Sequence, residues 1–178
     1  MNWNLNSLSK NEFERIKLIE AHNSNFNYDI ISFCETCLKD STEIPDPLMD
    51  GYTFHPANHP DDTARGGVGL LYKDTLPLTL RHDLAFSESI VAELNFGRKK
   101  IFFTVLYRSP ANKANTAEFK QFLADFENLH RKINSEKLTP LIIPETLMDI
   151  HNFGGIKEKP LLKVKKLKPF SLSSILLK

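Results

Sequence analysis

The sequence of 178 residues predicts a mixed α/β fold. Two segments repeat apolar residues at helical spacing, and several short runs rich in β-branched and aromatic residues are bounded by turn residues, as strands are. Hydrophobic residues make up 41% of the chain, which is typical of a globular protein and excludes a disordered polymer. The length predicts one domain, or a domain with a tail, that buries a sizeable core.

Charge and hydropathy exclude several classes of protein. The chain has 23 Lys and Arg against 22 Asp and Glu, for a net charge of +1, so it is neither a wholly basic nucleic-acid binder nor an acidic buffer. No apolar run approaches the roughly 18 residues of a membrane-spanning helix. The N-terminal residues lack the basic and apolar regions of a secretory signal. We therefore expect an intracellular protein with no membrane partner.

The first 34 residues predict the order strand, helix, strand. Residues 3–8 alternate apolar and polar side chains, as a short strand does. Ser9 and Glu12 have the spacing of a capping box, which predicts a helix that continues to about Asn23. The mostly apolar run 28–34 predicts a strand that is covered on both faces.

A polar segment and two cysteines follow. Residues 38–65 are rich in Asp, Pro, His and Asn and predict a long surface loop, which is uncommon unless it borders a site. Cys34 and Cys37 have the C-x-x-C spacing of a redox pair or of half a zinc site. A redox pair usually opens a helix, whereas Cys34 ends a strand-like run, and no further ligand pair is obvious. We favour one buried thiol and one loop thiol.

The middle of the chain predicts three strands, at residues 67–73, 89–96 and 101–107. Residues 96–100 between the last two have the composition of a hairpin turn. A second helix follows Asn115, which has a capping-box spacing to Glu118. The helix carries an apolar stripe formed by Phe119, Phe122, Leu123, Phe126, Leu129 and Ile133. The stripe predicts a core-facing helix, and residues 138–143 then predict another buried strand.

The composition changes after residue 143. Residues 144–178 hold seven lysines and three acidic residues, whereas residues 1–143 hold 16 basic and 19 acidic residues. The last segment has no trustworthy helical or strand periodicity. We treat it as a separate Lys-rich tail and favour a solvated, poorly ordered end over a phosphate-binding segment.

Five phrases in order carry a family resemblance. They are NWNLNSL, YDIISFCET, RGGVGLLYKD, VLYRSP and LTPLII. Over about residues 2–143 this order resembles the endonuclease/exonuclease/phosphatase superfamily, and more narrowly the N-terminal endonuclease domain of reverse-transcriptase-associated polyproteins of non-LTR retrotransposons. The resemblance implies the N-terminal part of a four-layer α/β sandwich, with catalytic residues on loops at one end. It also implies DNA as partner and the nucleus as a possible compartment.

The resemblance assigns a metal ligand. The family's conserved metal-binding glutamate falls on Glu35, which implies Mg²⁺ (or Mn²⁺) as cofactor; such ions take oxygen ligands and keep several waters. The asparagine that supports the metal and the scissile phosphate falls on Asn4, a catalytic position. Asn6 stands where many members carry a metal-supporting Asp, and we place it among the substrate-binding residues. Without the resemblance, Glu35 would read as a solvated strand end, and the two asparagines as turn residues.

The resemblance also assigns residues to the phosphate. The family's active-site tyrosine falls on Tyr107, as a catalytic residue near the phosphate or the leaving oxygen. Arg108 and Ser109 follow it and are candidates for contact with the DNA backbone. An ordinary strand aromatic is the alternative interpretation of Tyr107.

The sequence departs from the family after its last matching strand. There the family has Gly-Asp-Phe-Asn, whose Asp activates water, but this chain continues with Pro144, Glu145 and Thr146. The family's terminal Asp-His pair has no counterpart either. We expect a truncated or rearranged copy of a Mg²⁺-dependent DNA endonuclease that is inactive, or nearly so, as this chain. The alternatives are a non-catalytic nucleic-acid or protein interaction module that uses the basic tail, and a small-molecule phosphatase.

Overall fold

A computed structural model of the chain describes residues 1–10, 13–97, 99–108, 116–136 and 141–142. These residues form a mixed arrangement of helices and strands. The helices are α1 (Glu14–Phe26) and α2 (Ala117–Ser135). The strands are β1 (Asn2–Asn4), β2 (Ile30–Cys34), β3 (Tyr52–Ala57), β4 (Val68–Lys73), β5 (Leu78–Leu80), β6 (Ser89–Phe96), β7 (Lys99–Leu106) and β8 (Leu141–Ile142).

The strands form two four-stranded sheets. The first sheet has the order β1-β2-β4-β3 and the second has the order β5-β6-β7-β8. In each sheet one pair is parallel, β1 with β2 and β7 with β8, and the other pairs are antiparallel. Strands β6 and β7 form the expected hairpin, with Phe96 opposite Lys99. Gly97 at its tip has a φ of 63°, a backbone conformation that glycine adopts without strain.

The apolar residues fall into three buried layers. In the outer layer of the first sheet, Ile16 and Ile19 of α1 pack on the sheet with Phe33. In the outer layer of the second sheet, Leu129 and Ile133 of α2 pack with Phe102. Between the sheets lies a central layer formed by Cys34, Val68, Leu70, Ile90, Ala92 and Val105. The predicted four-layer α/β sandwich is therefore confirmed for the described residues.

The layers follow from the two-residue period of a strand, in which successive side chains point to opposite faces. Strand β4 contributes Leu70 to the central layer and Leu71 to the layer beneath α1. Strand β7 contributes Val105 to the central layer and Phe102 to the layer beneath α2. Both faces of these strands are thus buried, which explains their nearly continuous apolar sequence.

The predicted start of α1 is wrong. The helix begins at Glu14, and Phe13 occupies the cap position with a φ of 64° and no side-chain cap. Ser9 does not cap it, because the chain still follows β2 at this point, with the Leu8 N–H donating to the Thr36 carbonyl at 2.7 Å. In α2 the cap is Thr116, whose side chain accepts from the Phe119 N–H at 3.2 Å. Asn115, which we predicted as the cap, lies outside the described residues.

The predicted loop at residues 38–65 is also wrong in part, because it contains β3. Pro56 obscured this strand, since proline donates no ladder hydrogen bond. Among the described residues β3 is an edge strand that pairs only with β4, with Pro56 opposite Gly69, and an edge strand tolerates proline. Strand β1 is shorter than predicted because Asn6 and Ser7 have positive φ. The tail at residues 144–178 lies outside the described residues.

In the described part of the chain, neither helix is long and apolar enough to cross a bilayer.

A network of ion pairs joins the second sheet to α2. Arg81, directly after β5, donates to Glu93 of β6 at 2.6 Å, to Glu136 at 2.8 Å and to Asp83 at 2.8 Å. The Glu93 side chain is only 8% exposed and also pairs with Lys100 at 2.8 Å. Hydrogen bonds from Lys100 and Arg81 lower the pKa of Glu93, and the Arg81 guanidinium lowers that of Asp83. The folded state therefore favours both carboxylates in their charged form.

The lowered pKa values predict a pH dependence of stability. A carboxyl whose pKa is lower in the folded state stabilises the fold above its unfolded pKa, and this contribution is lost as the pH falls. We expect the free energy of unfolding to fall between about pH 5 and about pH 3, and to fall less steeply in Arg81→Gln. Urea unfolding at a series of pH values measures this. Arg65→Gln is the control, since the Arg65–Asp61 pair is exposed on both sides and should leave the slope unchanged. Parallel curves for Arg81→Gln and the wild type would contradict the assignment.

The core layer beneath α2 gives a second prediction. Leu129 is 2% exposed and packs in the layer that contains Phe102. Leu129→Ala should lower the free energy of unfolding by about 2–5 kcal/mol, because it removes buried apolar surface and leaves a cavity. Chemical denaturation measures this value. Leu18→Ala is the control, because Leu18 is 65% exposed and its truncation should change stability by less than about 0.5 kcal/mol.

Candidate active site

Glu35 lies directly after the central strand β2, on a backbone that is held from both sides. Its carbonyl accepts the Ser7 N–H at 2.8 Å, which ties it to the chain after β1. On the other side, Thr36 N–H donates to the Gly67 carbonyl at 3.3 Å, and Cys37 N–H donates to the Gly66 carbonyl at 2.9 Å. Glu35 has a φ of 55°, a left-handed conformation that costs energy for a residue other than glycine. The surrounding hydrogen bonds thus fix the half-buried Glu35 in a strained backbone conformation.

Tyr107 lies directly after β7, in the second sheet, and contacts Glu35 across the sandwich. Its hydroxyl donates to Glu35 Oε1 at 3.3 Å. The residues directly before these two are also in contact: the buried Cys34 thiol donates to the Leu106 carbonyl at 3.8 Å. Burial and the Glu35 carboxylate raise the pKa of Tyr107 well above its usual range. The phenol therefore stays protonated at neutral pH and acts as a hydrogen-bond donor.

Asn4 is the last residue of β1, and Asn6 directly precedes Ser7, whose N–H binds the Glu35 carbonyl. Asn4 is the register partner of Cys34, the residue before Glu35. Its Oδ1 accepts the Asn6 N–H at 3.2 Å, a local turn contact of the kind that asparagine commonly makes. The Asn6 carbonyl accepts a hydrogen bond from Arg15 Nη1 at 2.9 Å. Both asparagines line an open groove of about 300 Å³, together with Trp3, Leu5, Arg15 and Leu18.

The remaining predicted residues lie past Tyr107. The Arg108 guanidinium lies over the ring of Phe119 on α2, 5.3 Å from the ring centroid, in cation–π geometry. Arg108 is therefore held near the start of α2. Ser109 lies outside the described residues.

Glu88 is a site residue that the sequence analysis missed. It lies directly before β6, and its Oε1 accepts the Gly67 N–H at 2.7 Å. Its carbonyl accepts the Tyr107 N–H at 3.0 Å. Burial raises the pKa of the Glu88 carboxyl, while the hydrogen bond from Gly67 opposes this shift. One signal was present in the sequence: counting back along the hairpin from Phe96 and Lys99 places Glu88 opposite Tyr107.

The donor atoms at the site suit Mg²⁺ better than a metal that needs many protein ligands. No group of three or more His, Cys, Asp or Glu side chains within the described ranges could hold a metal ion. Mg²⁺ is commonly bound through one or two carboxylates with water completing its shell, so Glu35 on its rigid backbone fits. Cys34 and Cys37 form no disulfide, and the first is buried and the second half-buried, as the favoured interpretation predicts.

Solved structures support the fold. The endonuclease domain of TRAS1, a telomere-specific non-LTR retrotransposon, is 15% identical with a TM-score of 0.54; the match covers 80% of this chain and 55% of that one. The 3' phosphatase NExo from Neisseria, bound to a product DNA hairpin, is 16% identical with a TM-score of 0.55, over 80% of this chain and 55% of that one. The AP endonuclease LMAP from Leishmania major is 14% identical with a TM-score of 0.52, over 74% and 46%.

The similarity covers only part of each solved structure. The chain spans about half the length of the solved structures that it matches, between 46% and 55% for these three. No curated protein matches the chain at a significant level. The model of the endonuclease/exonuclease/phosphatase family matches residues 1–138, which is most of the sequence. This match agrees with the order of the strands and with the placement of Glu35 and Tyr107 at the junction of the two sheets. The chain therefore belongs to the endonuclease/exonuclease/phosphatase family.

Proposed function

We propose that this chain carries the metal-side part of a DNA phosphodiesterase site, of the kind found in retrotransposon endonucleases, and that the chain alone is inactive or nearly so. The observation that carries the proposal is the hydrogen bond from Tyr107 to Glu35 Oε1, which brings the two residues implied by the family resemblance to one point. In this proposal Glu35 binds Mg²⁺ (or Mn²⁺), while Asn4 and Tyr107 face the scissile phosphate.

DNA is the favoured substrate for two reasons. Two of the similar structures are named for DNA chemistry, the retrotransposon endonuclease domain and the phosphatase bound to a DNA hairpin. The phrases YDIISFCET and VLYRSP of this chain, which include Glu35 and Tyr107, resemble those of retrotransposon endonucleases. Both points support the DNA endonuclease over a small-molecule phosphatase.

The residues have distinct tasks in this proposal. When bound, the metal neutralises charge on the scissile phosphate and stabilises the leaving oxygen. Glu35 holds the cation through its carboxylate, on a backbone fixed at both neighbours. The Tyr107 phenol, whose pKa is raised by burial and by Glu35, remains a donor that can orient Glu35 or a phosphate oxygen. The Asn4 amide, at the end of β1 and in register with Cys34, adds a neutral polar group for the phosphate in this proposal.

The proposed lack of activity rests on residues that the sequence shows. The segment after the last matching strand reads Pro144, Glu145, Thr146 where the family resemblance implies a water-activating Asp followed two residues later by Asn. Asn6 stands where many members have a second metal-supporting carboxylate. Removing one member of a catalytic group commonly costs several orders of magnitude in rate, about 10⁴-fold or more in a well-studied hydrolase.

Plasmid nicking tests the proposal directly. Supercoiled plasmid with Mg²⁺ should show no nicking by the purified chain above the level of Glu35→Gln or of an EDTA control. Glu20→Gln, an exposed glutamate on α1, is the matched variant that leaves the site intact. Mg²⁺-dependent nicking that persists in Glu20→Gln and disappears in Glu35→Gln would show an active endonuclease. In that case the proposed lack of activity would be wrong and the metal role of Glu35 would be right.

The position of Asn6 gives a further prediction. Asn6→Asp adds a carboxylate where the resemblance implies one, so it should tighten Mg²⁺ binding by roughly 10-fold, since affinity for such ions rises with ligand charge. Glu35→Gln should weaken binding, and Asn25→Asp, on the exposed end of α1, should leave it unchanged. Isothermal titration calorimetry with MgCl₂ measures all of these affinities. Equal affinities for the wild type and Asn6→Asp would show that a carboxylate at position 6 does not reach the metal.

A further inference from the structure

We propose that Glu88 is a positioning residue that holds Glu35 and Tyr107 together through the Gly66–Gly67 turn before β4. The inference rests on the proposed roles of Glu35 and Tyr107, but Glu88 itself is assigned from its contacts. Glu88 touches the backbone of both neighbouring segments and so links the two sheets at the site.

The first link runs from Glu88 to the backbone after Glu35. Glu88 Oε1 accepts the Gly67 N–H at 2.7 Å, a short hydrogen bond to a carboxylate. The carbonyls of the same turn accept the next two N–H groups after Glu35, those of Thr36 and Cys37. A single carboxylate thus fixes the turn to which the chain beyond Glu35 is bound.

The second link runs from Glu88 to Tyr107. The Glu88 carbonyl accepts the Tyr107 N–H at 3.0 Å, which extends the β6–β7 ladder by one pair beyond Ser89 and Leu106. The backbone from which the Tyr107 side chain projects is therefore set by Glu88. Movement of Glu88 would change the position of the phenol relative to Glu35 Oε1.

The Glu88 carboxylate packs closely on the Gly66–Gly67 turn. A Cβ added at Gly66 would lie 2.0 Å from Glu88 Oε1 and 3.1 Å from Tyr107 Cε1. One added at Gly67 would lie 2.6 Å from the Thr36 Oγ1. The carboxylate and the tyrosine ring thus both lie against the same glycine. Glu88 also has a φ of 51°, a strained conformation that persists only where the surroundings fix it.

The arrangement resembles the support of a metal ligand by residues behind it. Loss of such a supporting contact typically weakens metal affinity or activity by about 10–100-fold. A residue that merely capped a turn would change stability without changing the geometry at Glu35 and Tyr107. The test therefore needs a measurement at Tyr107 itself, besides Mg²⁺ affinity.

The experiment uses the full chain labelled with 3-fluorotyrosine and observed by ¹⁹F NMR. The chain has four tyrosines, so the Tyr107 signal is assigned by its loss in Tyr107→Phe, and the other three signals serve as internal controls. Glu88→Ala should shift the Tyr107 signal and weaken Mg²⁺ binding by about 10–100-fold. Glu88→Gln should keep both close to the wild type, since its amide oxygen still accepts from Gly67. Glu43→Ala, an exposed glutamate, is the matched control and should change neither.

A shorter carboxylate tests the same contact. Glu88→Asp keeps the charge but withdraws the carboxylate from the Gly67 N–H by one methylene, so it should shift the Tyr107 signal in the same direction as Glu88→Ala. An unchanged Tyr107 signal in Glu88→Asp would contradict the proposed contact.

The outcomes separate the inference from the proposed function. An unchanged Tyr107 signal in Glu88→Ala, in a chain that retains its circular dichroism, would overturn the positioning role. If Glu88→Ala does not fold, Glu88→Asp decides, and an unchanged Tyr107 signal in Glu88→Asp would overturn it. If the wild type binds no Mg²⁺, the proposed function fails, while the Tyr107 signal still decides the role of Glu88.

Discussion

The contact between the two sheets is the constraint on which the rest of the site depends. Glu35 follows a strand of the first sheet and Tyr107 follows a strand of the second, so their 3.3 Å contact exists only while the sheets are packed. The central apolar layer provides that packing, and the Cys34 thiol contacts the Leu106 carbonyl just beneath the pair. Close packing transmits small displacements, so a change in the central layer reaches the site.

The electrostatics of the site support the proposed role of a cation. Glu35 and Glu88 flank the Tyr107 phenol, and both carboxylates contribute to raising its pKa. A phosphodiester is itself an anion, so its approach to two carboxylates is unfavourable unless a bound cation reverses the local field. The same groups that repel bare phosphate therefore suit a metal-assisted reaction.

The sequence predicted the strands with continuous apolar runs, both helices and the hairpin turn, because each depends on local periodicity and turn composition. It failed where the deciding contact is not local. Strand β3 contains Pro56 and is stabilised by pairing with β4, which no property of residues 52–57 reveals. The start of α1 is delayed because residues up to Leu8 remain bound to the chain after β2.

The sequence likewise predicted some residues of the candidate site and missed others. Glu35 and Tyr107 were found through a resemblance of sequence phrases, and the structure brings them into contact. Glu88 was missed because an acidic residue before a strand is common, and its task depends on a glycine turn 21 residues earlier in the chain. The positive φ of Glu35 and Glu88 has no signature in the sequence, since it is imposed by tertiary hydrogen bonds.

The β6–β7 hairpin has a consequence for the order in which the site assembles. The hairpin has a tight turn and places Glu88 opposite Tyr107, and hairpins of this kind form in about 1–10 μs. Glu35 and Tyr107 are separated by 72 residues, so their contact must wait for closure of a long loop and docking of the sheets. During refolding of the complete chain, the pairing of Glu88 with Tyr107 therefore forms before the contact between Glu35 and Tyr107.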